Sequence, residues 1–509
     1  MYIGLLRVPT LIDDTAITAP ITPPIGIAYL KSIVNHFTDN IQIIDAVGNY
    51  PVIHQVQLDN KKFRILGETK EEIVDSISPD LDILLVSIMF SQDWLYVKDL
   101  LKDIRSKCHK TLIVAGGEHI TAIPEYCMES SEEIDICVLG EGESILFDLL
   151  ENYNTKNIND TPGIVYRDGK QIIRSKAQKR IKEMSTIAWP DWEGIPLQNY
   201  FDGQHSFGVN HGKKTMPILG TRGCPYRCTF CSSPLMWTTL WMAREPKDVM
   251  KEMKHYIQKY DVYNFDFYDL TAVVKKKWII EFCKLLISEK LNITWQLPSG
   301  TRSEAIDDEV AELLYNSGCK NLSYAPESGS IKTLKIIKKK INLDRMIASM
   351  KSSVNAGINI KANIMCGFPH ENYSHLYDTW KFIIRMAYAG CHDVSITQFS
   401  PYPGSELFDQ LLEEGKITYD NDYFEALASY SSISSAKSYC DHMSNNGILF
   451  YKYFGTLSFY FTNFLFHPRR FILLITNVFK GVETSRLEKT ILSLLNRFRP
   501  ILSISSDKK

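Results

Sequence analysis

The sequence predicts an α/β protein in three parts: a mostly parallel sheet, a partial barrel of six strand–helix units, and a helical C-terminal extension. Three observations support this prediction. Apolar, β-rich runs alternate with helical patterns over the first 150 residues. A second alternating series follows a stretch without sustained periodicity from about 175 to 212. From about Tyr419 the pattern changes to Ser- and Tyr-rich and then aromatic sequence.

The first series is typical of a parallel sheet covered by helices on both faces, because its strands are near-continuous apolar runs. The predicted strands are YIGLLRV, IQIIDA, ILLVSIMF, TLIVAGG and DICVLGE, with helices over 23–37, before Pro79 and near 94–106. Gly116, Gly117, Gly140 and Gly142 lie just past strand ends. Ligands of such sheets bind at the carboxyl ends of the strands, so these glycines mark a candidate binding edge.

A hairpin and a second strand series follow. IVYRDGKQIIR, with Asp168-Gly169 between two alternating segments, predicts a hairpin. The strands of the second series are predicted at PILGTRG, NFDFYD, NITWQLPSG, NLSYAPE, INIKANIMCG and DVSITQFSPY. The resulting division is a first domain over 1–155, a connection over 156–212, a barrel over 213–418 and an extension over 419–509.

Composition and charge exclude several classes of protein. The chain has 509 residues with 57 basic and 59 acidic side chains, hence a net charge of −2, and 45% of its residues are hydrophobic. This balance argues against a disordered or fibrous protein and against a general nucleic-acid binder. The N-terminus carries no secretory signal pattern, which predicts a cytoplasmic location. Eleven cysteines in such a chain favour free thiols and metal ligands over a disulfide framework.

Three of those cysteines form the motif with the clearest chemical meaning. TRGCPYRCTFCSSP places Cys224, Cys228 and Cys231 in a C-x3-C-x2-C arrangement directly after a predicted strand. Three thiolates on one short loop can hold three corners of a [4Fe-4S] cluster and leave the fourth iron open. A zinc site or a chance cluster of buried cysteines is the alternative, although structural zinc normally takes four ligands and no second C-x2-C or H-x3-H pair lies nearby.

The cysteine motif and the segments after it resemble the radical S-adenosylmethionine (SAM) enzymes, whose signature loop follows the first strand of a partial (β/α)6, TIM-type barrel. The resemblance covers about 216 to 415. Its successive blocks are MAREPKDVMKEM, FDFYDLTAV, TRSEAIDDEVAELLYNSGC, SYAPESGSIKTLKIIKK, NIMCGFPHEN and SPYPGSELFDQL. It implies an oxygen-labile cluster, bound SAM and an external electron donor of the flavodoxin or ferredoxin kind.

The N-terminal series resembles the cobalamin-binding, Rossmann-like domain that precedes the barrel in one subclass of these enzymes, which includes class B methylases and the anaerobic magnesium-protoporphyrin monomethyl ester cyclase. The segments that resemble it are PPIGIAYLKSIV, IIDA, VAGGEHITAIPE and VLGEGESILFDLL. The D-x-H-x-x-G motif that supplies a histidine to cobalt in some B12 proteins is absent, and DAVGNYPVIH stands nearest to it. We therefore expect cobalamin without His54 as a ligand, and we expect His119 to be a solvated loop residue.

The resemblance also implies roles for individual residues. Those implied for SAM are Phe230, Asp269, Arg302, Glu327, Ser328, Gly367 and Phe368, and those implied for cobalamin are Gly116, Gly117, Gly140, Glu141 and Gly142. Glu327 would accept hydrogen bonds from the ribose or amine of SAM, and Arg302 would pair with its carboxylate. Gly367 and Phe368 would let the backbone approach adenine, near Phe230.

The C-terminal extension contains the aromatic run ILFYKYFGTLSFYFTNFLF, followed by the basic amphipathic RRFILLITNVFKG. Interspersed polar residues argue against a membrane-spanning helix. A helix that lines the substrate cavity or a peripheral membrane contact remains open, and the latter would suit an apolar substrate.

Together these features predict an enzyme that cleaves SAM to a 5′-deoxyadenosyl radical and methylates an unactivated carbon of a small, lipid-like or secondary-metabolite substrate with the help of cobalamin. A radical oxidative cyclase or rearrangement enzyme, with or without cobalamin, is the first alternative. A non-catalytic cobalamin- or cluster-binding sensor is the second.

Overall fold

A computed structural model describes residues 1–16, 21–49, 51–58, 61–155, 157–301 and 305–503 of the chain. Two large sheets organise these residues, one of seven strands in the N-terminal part and one of six strands in the middle. The α/β architecture expected from the two alternating series is confirmed.

The N-terminal part holds the first ten strands and seven helices that the structure describes. Its strands are β1 (Ile3–Arg7), β2 (Thr10–Asp13), β3 (Ile41–Asp45), β4 (Ile53–Leu58), β5 (Lys61–Leu66), β6 (Ile83–Ser87), β7 (Leu112–Gly116), β8 (Ile136–Val138), β9 (Ile164–Asp168) and β10 (Gln171–Arg174). Its helices are α1 (Ile25–Val34), α2 (Ala46–Asn49), α3 (Lys70–Ser76), α4 (Trp94–Lys107), α5 (Glu118–Ala122), α6 (Pro124–Ser130) and α7 (Gly142–Thr155).

The seven-stranded sheet has the order β10-β9-β8-β7-β6-β1-β3. Strands β3, β1, β6, β7 and β8 are parallel, as predicted. Leu5, Leu6, Leu84 and Leu85 are buried, so neighbouring residues of one strand bury side chains on both faces of the sheet. The parallel strands therefore end at one common edge, the candidate binding edge.

A three-stranded antiparallel sheet, β2-β5-β4, was not expected from the sequence. Strand β4 alternates between exposed and half-buried residues, and its sequence IHQVQL carries little apolar signal. His54 lies on this strand opposite Ile65. It is therefore part of the added sheet and does not follow a strand of the parallel sheet.

The predicted hairpin is present as β9 and β10, which pair antiparallel around Asp168. Strand β9 also pairs antiparallel with β8, so the hairpin completes the edge of the N-terminal sheet. The irregular chain that follows it contains one short α-helix, α8 (Leu197–Asp202).

The middle part forms the six-stranded sheet and its helices. Its strands are β11 (Thr215–Ile218), β12 (Thr221–Arg222), β13 (Met242–Ala243), β14 (Asn264–Phe267), β15 (Thr294–Thr301), β16 (Cys319–Glu327), β17 (Asn359–Cys366) and β18 (Asp393–Gln398). Its helices are α9 (Ser233–Trp237), α10 (Pro246–Tyr260), α11 (Lys276–Ser288), α12 (Asp308–Asn316), α13 (Ile331–Ile336), α14 (Leu343–Asn355), α15 (Tyr373–Tyr388) and α16 (Glu406–Glu413).

The six-stranded sheet is parallel throughout and follows the chain in the order β11-β14-β15-β16-β17-β18. Phe265, Phe267 and Trp295 are almost fully buried and form part of its hydrophobic core with Phe282 of α11. This is the partial barrel expected from the six strand–helix units. Strands β12 and β13 form a separate two-stranded ribbon beside it.

The C-terminal part is helical, as predicted, and consists of α17 (Asn421–Ala428), α18 (Asn445–Phe466), α19 (Pro468–Lys480) and α20 (Arg486–Ser503). Helix α18 packs against α15 and β18, where the Tyr451 hydroxyl donates a hydrogen bond of 2.9 Å to the Leu376 carbonyl. It runs along the edge of the sheet, and Ile448 in its first turn lies against Gly367. Within the described residues, no helix combines the length and apolar character needed to cross a membrane.

The first turn of α20 and the residues before it cover the amino-terminal mouth of the barrel. The Arg486 amide donates to Asp393 Oδ2 at 2.8 Å, and Asn359 Nδ2 donates to the Thr484 carbonyl at 2.8 Å. Lys489 Nζ donates to the Gly208 carbonyl at 2.6 Å. Asp393 and Asn359 are the first residues of β18 and β17, so these contacts cover the amino-terminal mouth, next to a cavity lined in part by Gln296, Lys361 and Arg486.

Candidate active site

The carboxyl edges of the two sheets meet at one short segment, residues 223–232, which we call the cysteine loop. Ser232 in this loop donates a hydrogen bond to the carboxylate of Glu118, the first residue of α5, which follows β7. A Cβ atom added to Gly404, after β18, would lie 2.8 Å from Leu235 Cδ2 and 3.3 Å from Ala122 Cβ. The cysteine loop and α9 therefore lie between the candidate binding edge and the barrel rim.

Buried ion pairs hold this junction together. Arg222, the residue before the cysteine loop, contacts Glu143 at 2.5 Å and Glu141 at 3.4 Å, and all three side chains are almost fully buried. Arg180 contacts Glu141 at 3.0 Å from the connecting chain. Although burial alone would raise the pKa of Glu143, the charge and hydrogen bond of Arg222 outweigh it and lower that pKa.

Backbone contacts set the shape of the cysteine loop. Gly223 has φ +84°, and a Cβ atom there would lie 2.2 Å from the Leu240 carbonyl oxygen, so glycine is required. The Thr229 amide donates to the Ile337 carbonyl at 3.1 Å, and the Leu407 amide donates to the Thr229 carbonyl at 2.8 Å. The residue after α13 and the first turn of α16 thus support the loop from two sides.

The three cysteines of the loop differ from the other cysteines of the chain in their exposure. Cys224, Cys228 and Cys231 are half-buried, whereas the remaining eight are buried. Thr271, after β14, donates a hydrogen bond of 3.4 Å to Cys224 Sγ. The loop therefore places three half-buried cysteines at the barrel rim.

The electrostatics of these thiols fit a cationic ligand. Burial raises the pKa of Cys228 to about 11; Lys339 opposes this shift, and the neighbouring Cys231 adds to it. Thiolates gathered in one loop repel each other, and bound metal relieves that repulsion because it stabilises the deprotonated sulfur. Within the described residues, no three His, Cys, Asp or Glu side chains are placed to hold a single metal ion. Three separated sulfur donors on one loop fit three corners of an iron–sulfur cluster.

Two of the residues implied for SAM lie beside the cysteine loop. Glu327 ends β16 with φ +63° and accepts a hydrogen bond of 3.0 Å from Lys339 Nζ. Phe230, inside the loop, is half-buried; its ring centroid is 5.8 Å from that of Phe368 and 5.9 Å from Lys339 Nζ. Phe230, Glu327 and Lys339 therefore form a polar and aromatic group next to Cys228.

The other residues implied for SAM have partners within the protein. Asp269 is buried and accepts a hydrogen bond of 3.0 Å from the Gly220 amide, and burial raises its pKa to about 6. Ser328 is fully buried against Thr379, with 2.8 Å between the hydroxyl oxygens. Phe368 is buried, and Gly367 has φ +86° with Ile448 where a Cβ would stand. Arg302 lies outside the described residues.

Sequence reasoning missed two residues at this rim. Lys339 belongs to the run IKKK, which resembles a solvated helix end, but its side chain is only 17% exposed because it turns back to Glu327. Glu371 accepts hydrogen bonds from the amides of Gly367 (2.8 Å) and Phe368 (3.2 Å). Burial raises the pKa of Glu371 to about 7. Its place four residues after Gly367 in GFPHE was the available signal.

The glycines at the candidate binding edge have different surroundings. Gly117 has φ +116°, and a Cβ there would lie 2.3 Å from the Ile88 carbonyl oxygen, so this glycine permits a close backbone approach. The nearest atoms to a Cβ at Gly116 and Gly140 are 3.8 Å and 3.6 Å away, which leaves room beside them. Gly142 opens α7 with Leu30 3.1 Å from such a Cβ, and the Glu141 carboxylate faces Arg180 and Arg222.

His119 is not the solvated residue that the sequence suggested. It is buried in α5, with Nδ1 2.9 Å from Ser91 Oγ and Nε2 3.4 Å from Cys127 Sγ. Burial lowers its pKa to about 3. Both ring nitrogens are engaged inside the domain, so His119 is not presented to a ligand at the binding edge.

Exposed apolar side chains surround this edge and the barrel rim. Met89 and Phe90, which follow β6, are 42% and 52% exposed. On the barrel side, Leu235 is 50% and Leu270 is 39% exposed. Apolar side chains at the ends of parallel strands, together with open glycine positions, fit a large ring system lying on the sheet edge.

Comparison with known proteins agrees with this arrangement. Residues 15–150 match the B12 binding domain family, and residues 218–383 match the radical SAM superfamily. An uncharacterized methyltransferase of Pyrococcus horikoshii is 26% identical over 413 residues, which cover 80% of this chain and 83% of that protein. The anaerobic magnesium-protoporphyrin IX monomethyl ester cyclase of Cereibacter sphaeroides is 26% identical over 406 residues, which cover 78% of this chain and 61% of the cyclase.

The fold is also similar to that of a solved structure. The radical S-adenosylmethionine methyltransferase TsrM of Kitasatospora setae, solved with cobalamin and a [4Fe-4S] cluster, superposes with a TM-score of 0.62 at 13% identity. The match covers 81% of this chain and 75% of TsrM. The two matched domains make a [4Fe-4S] cluster, SAM and cobalamin the cofactors of this chain.

Proposed function

We propose that this chain, a radical SAM enzyme with an N-terminal B12-binding domain, transfers a methyl group from SAM to an unactivated carbon of a small apolar molecule. Relatives that cover most of the chain include an uncharacterized methyltransferase and a cyclase, and methyl transfer would give both matched domains a part in the reaction.

The observation that carries this proposal is the position of the cysteine loop between two sheet edges. The loop contacts Glu118 of the first domain through Ser232, and Arg222 joins the loop to Glu141 and Glu143 of the same domain. A ligand on the candidate binding edge and a ligand on the cysteine loop would therefore face a common space. Methyl transfer between two cofactors and a substrate needs such a space, closed to bulk water.

The residues of the chain divide this work between them. When bound, the cluster supplies the electron that cleaves SAM, and cobalamin supplies a methyl carrier. Cys224, Cys228 and Cys231 hold the cluster. Lys339 offers a cation beside Cys228 for the SAM carboxylate, and Glu327 offers an acceptor for its amine or ribose. Phe230 gives the adenine an apolar wall.

Residues further from the cysteine loop support it. Asp269 fixes the end of β14 to Gly220, and Ser328 fixes the end of β16 to α15. Glu371 holds the Gly367–Phe368 turn through two amide hydrogen bonds, which keeps that backbone in one conformation. We assign these residues positioning roles, and we keep Arg302 as a proposed partner of the SAM carboxylate.

For cobalamin we propose the edge formed by Gly116, Gly117 and Gly140, with Met89 and Phe90 against the corrin ring. Glu141 and Gly142 then act indirectly, because Glu141 pairs with Arg180 and Arg222 and Gly142 packs on Leu30. The cobalt takes no histidine from this protein in the proposal, since His119 is engaged with Ser91 and Cys127.

Radical oxidative cyclisation is the second candidate, and the match to the cyclase of Cereibacter sphaeroides favours it. Both reactions begin with SAM cleavage at the same cluster. They differ in the product, since only the transferase adds the SAM methyl group to the substrate carbon.

The proposal includes an external one-electron donor of acidic surface, of the flavodoxin or ferredoxin kind. The segment 331–340 carries five lysines and no acidic residue, and its Ile337 carbonyl is hydrogen-bonded to the cysteine loop. Lys338 pairs with Glu406 and Lys339 with Glu327, and the net positive charge of the segment itself would steer such a donor. Eight buried free cysteines and an oxygen-sensitive cluster suit the reducing cytoplasm.

We also propose that the chain divides into domains at residues 155, 212 and 418, with the β9–β10 hairpin attached to the first domain.

The test is an anaerobic assay of the reconstituted full chain with SAM that carries a deuterated methyl group. Candidate substrates are lipids and tetrapyrroles, and the readouts are 5′-deoxyadenosine and the mass of the product. A product that carries the deuterated methyl group supports the transferase. A cyclised product without the label favours the second candidate, and no 5′-deoxyadenosine with any substrate or without one contradicts both.

A further inference from the structure

Helix α18 has two apolar faces, and only one of them is packed. Ile448, Tyr451, Gly455 and Phe459 are buried against the barrel. The opposite face carries apolar side chains that are 43–73% exposed: Phe450, Tyr453, Phe454, Leu457, Phe461, Leu465 and Phe466. Their spacing of three and four residues places most of them in one stripe along the helix. Single exposed apolar side chains are normal on a protein surface, but a continuous stripe along a whole helix marks an interaction surface.

Helix α19 continues this surface. It has no buried residue, and Phe471, Ile472, Leu473, Ile475 and Phe479 are 41–87% exposed. Arg470 holds the helix to the barrel through hydrogen bonds to the carbonyls of Gly390 (2.8 Å) and Cys391 (3.2 Å). We call the exposed side chains of α18 and α19 together the apolar face. It accounts for 12 of the 31 large exposed hydrophobic residues in the described part of the chain.

The two helices that carry the apolar face contain charged residues of one sign only. Residues 445–480 contain Lys452, Arg469, Arg470 and Lys480 but no aspartate or glutamate. Arg469 and Lys480, at the two ends of α19, are exposed. A cationic, acid-free segment with a continuous apolar stripe is complementary to an anionic lipid surface, where the apolar side chains enter the acyl boundary and the cations meet the headgroups.

Tyrosines border the apolar face on the side of α15. Tyr373, Tyr377 and Tyr388 are 59–70% exposed. The Tyr388 ring lies 4.9 Å from that of Phe466, and Trp380 stacks on Phe454 at 5.9 Å between centroids. Amphipathic rings at the rim of an apolar surface are typical of the level where hydrocarbon gives way to headgroups.

We propose that the apolar face docks on the surface of an anionic lipid bilayer, with α18 and α19 lying in the plane of the interface. The docked helix reaches the active site, because Ile448 in the first turn of α18 lies against Gly367 at the barrel rim. The substrate is then an apolar molecule taken from the membrane, a consequence that rests on the proposed function. The docking itself does not.

The test is flotation of the full-length apo protein with large unilamellar vesicles. One set is pure phosphatidylcholine, and the other contains phosphatidylglycerol as the anionic lipid. We expect the protein to float with the anionic vesicles, to float less with the neutral ones, and to be released by salt. The double variant Phe461→Glu/Phe479→Glu should bind at least about tenfold more weakly, because two exposed aromatic side chains that would enter the bilayer are replaced by charges. Arg469→Glu should weaken binding to anionic vesicles about fivefold.

A matched control uses exposed apolar residues elsewhere. Ile53→Glu/Ile287→Glu introduces the same charges at positions that are 45% and 37% exposed on other surfaces, and it should bind as the wild type does. Circular dichroism melts would establish that both double variants fold. Absence of flotation with anionic vesicles would overturn the proposal, as would equal loss in the control. Light scattering that gives a wild-type dimer and a monomeric Phe461→Glu/Phe479→Glu variant would assign the face to a second copy and also overturn it.

Because no cofactor or substrate is present in this assay, its failure leaves the proposed methyl transfer untouched. Conversely, a protein that binds vesicles but yields no 5′-deoxyadenosine would refute the proposed function and retain the docking surface.

Discussion

Arg222 offers the sharpest test of how the two domains are joined. Replacing it by methionine keeps most of the side-chain volume but leaves Glu141 and Glu143 buried with one fewer cation. Breaking a buried ion pair by removing one partner costs about 3–5 kcal/mol. The Arg222 guanidinium also lies 4.8 Å from the Tyr29 ring and 5.6 Å from the Trp237 ring, contacts that add to the loss.

The assay is urea unfolding of Arg222→Met and the wild type, followed by fluorescence, with a surface ion pair as control. Arg174→Met removes a pair to Glu125 in which both side chains are about half exposed, and it should cost less than about 1 kcal/mol. The double variant Arg222→Met/Glu143→Gln should regain part of the stability, because the unpaired charge is gone.

The pH dependence of this deficit has a definite sign. Glu143 has a folded pKa below its ordinary value of 4.5, so its pairing stabilises the fold above that pH and the contribution is lost as the pH falls through the folded pKa. The deficit of Arg222→Met should be largest near neutral pH and shrink below about pH 4.5. A deficit no larger than that of Arg174→Met at neutral pH would refute the role given to this junction.

Three further predictions concern the site. Cys228→Ala should lose most of the iron taken up on anaerobic reconstitution, whereas Cys108→Ala, at a buried cysteine, should keep it; equal iron contents would contradict the cluster assignment. Burial raises the pKa of Glu371 to about 7, so between pH 4.5 and 7 the unfolded chain ionises this carboxyl while the folded protein keeps it protonated, and the wild type should lose up to about 3 kcal/mol of unfolding free energy relative to Glu371→Gln. A difference between the two proteins that does not change with pH would count against the buried carboxyl. Gly117→Ala should prevent normal folding of the first domain, because the added Cβ would lie 2.3 Å from the Ile88 carbonyl oxygen. Gly169→Ala, whose Cβ would have no atom within 4 Å, should lower the free energy of unfolding by only about 1 kcal/mol, and similar melting temperatures for the two variants would refute the close approach at Gly117.

Features encoded in contiguous sequence were predicted well. The parallel strands carry continuous apolar runs, and the cysteine loop carries its spacing in eight residues, so both follow from local pattern. Strand β4 was missed because it is polar and no residue of it is fully buried. An edge of that kind lacks the apolar alternation that marks a strand.

Features that depend on contacts between distant residues were not predictable. Glu141 was expected at cobalamin, but Arg180 and Arg222 pair with it from 39 and 81 residues away. The segment ESGS does not reveal that Ser328 is buried, because its partner Thr379 of α15 lies 51 residues away in the sequence. Lys339 was missed because a lysine within a run of lysines is expected to extend into solvent. In the structure its side chain turns back and donates a hydrogen bond to Glu327.

The most direct test of the central claim is the iron and cobalt content of the full chain after anaerobic reconstitution with iron, sulfide and hydroxocobalamin. We expect about four iron atoms and about one cobalt atom per chain, with iron lost and cobalt kept in Cys228→Ala. Iron without cobalt would contradict the cobalamin half of the claim, and iron retained by Cys228→Ala would contradict the other half.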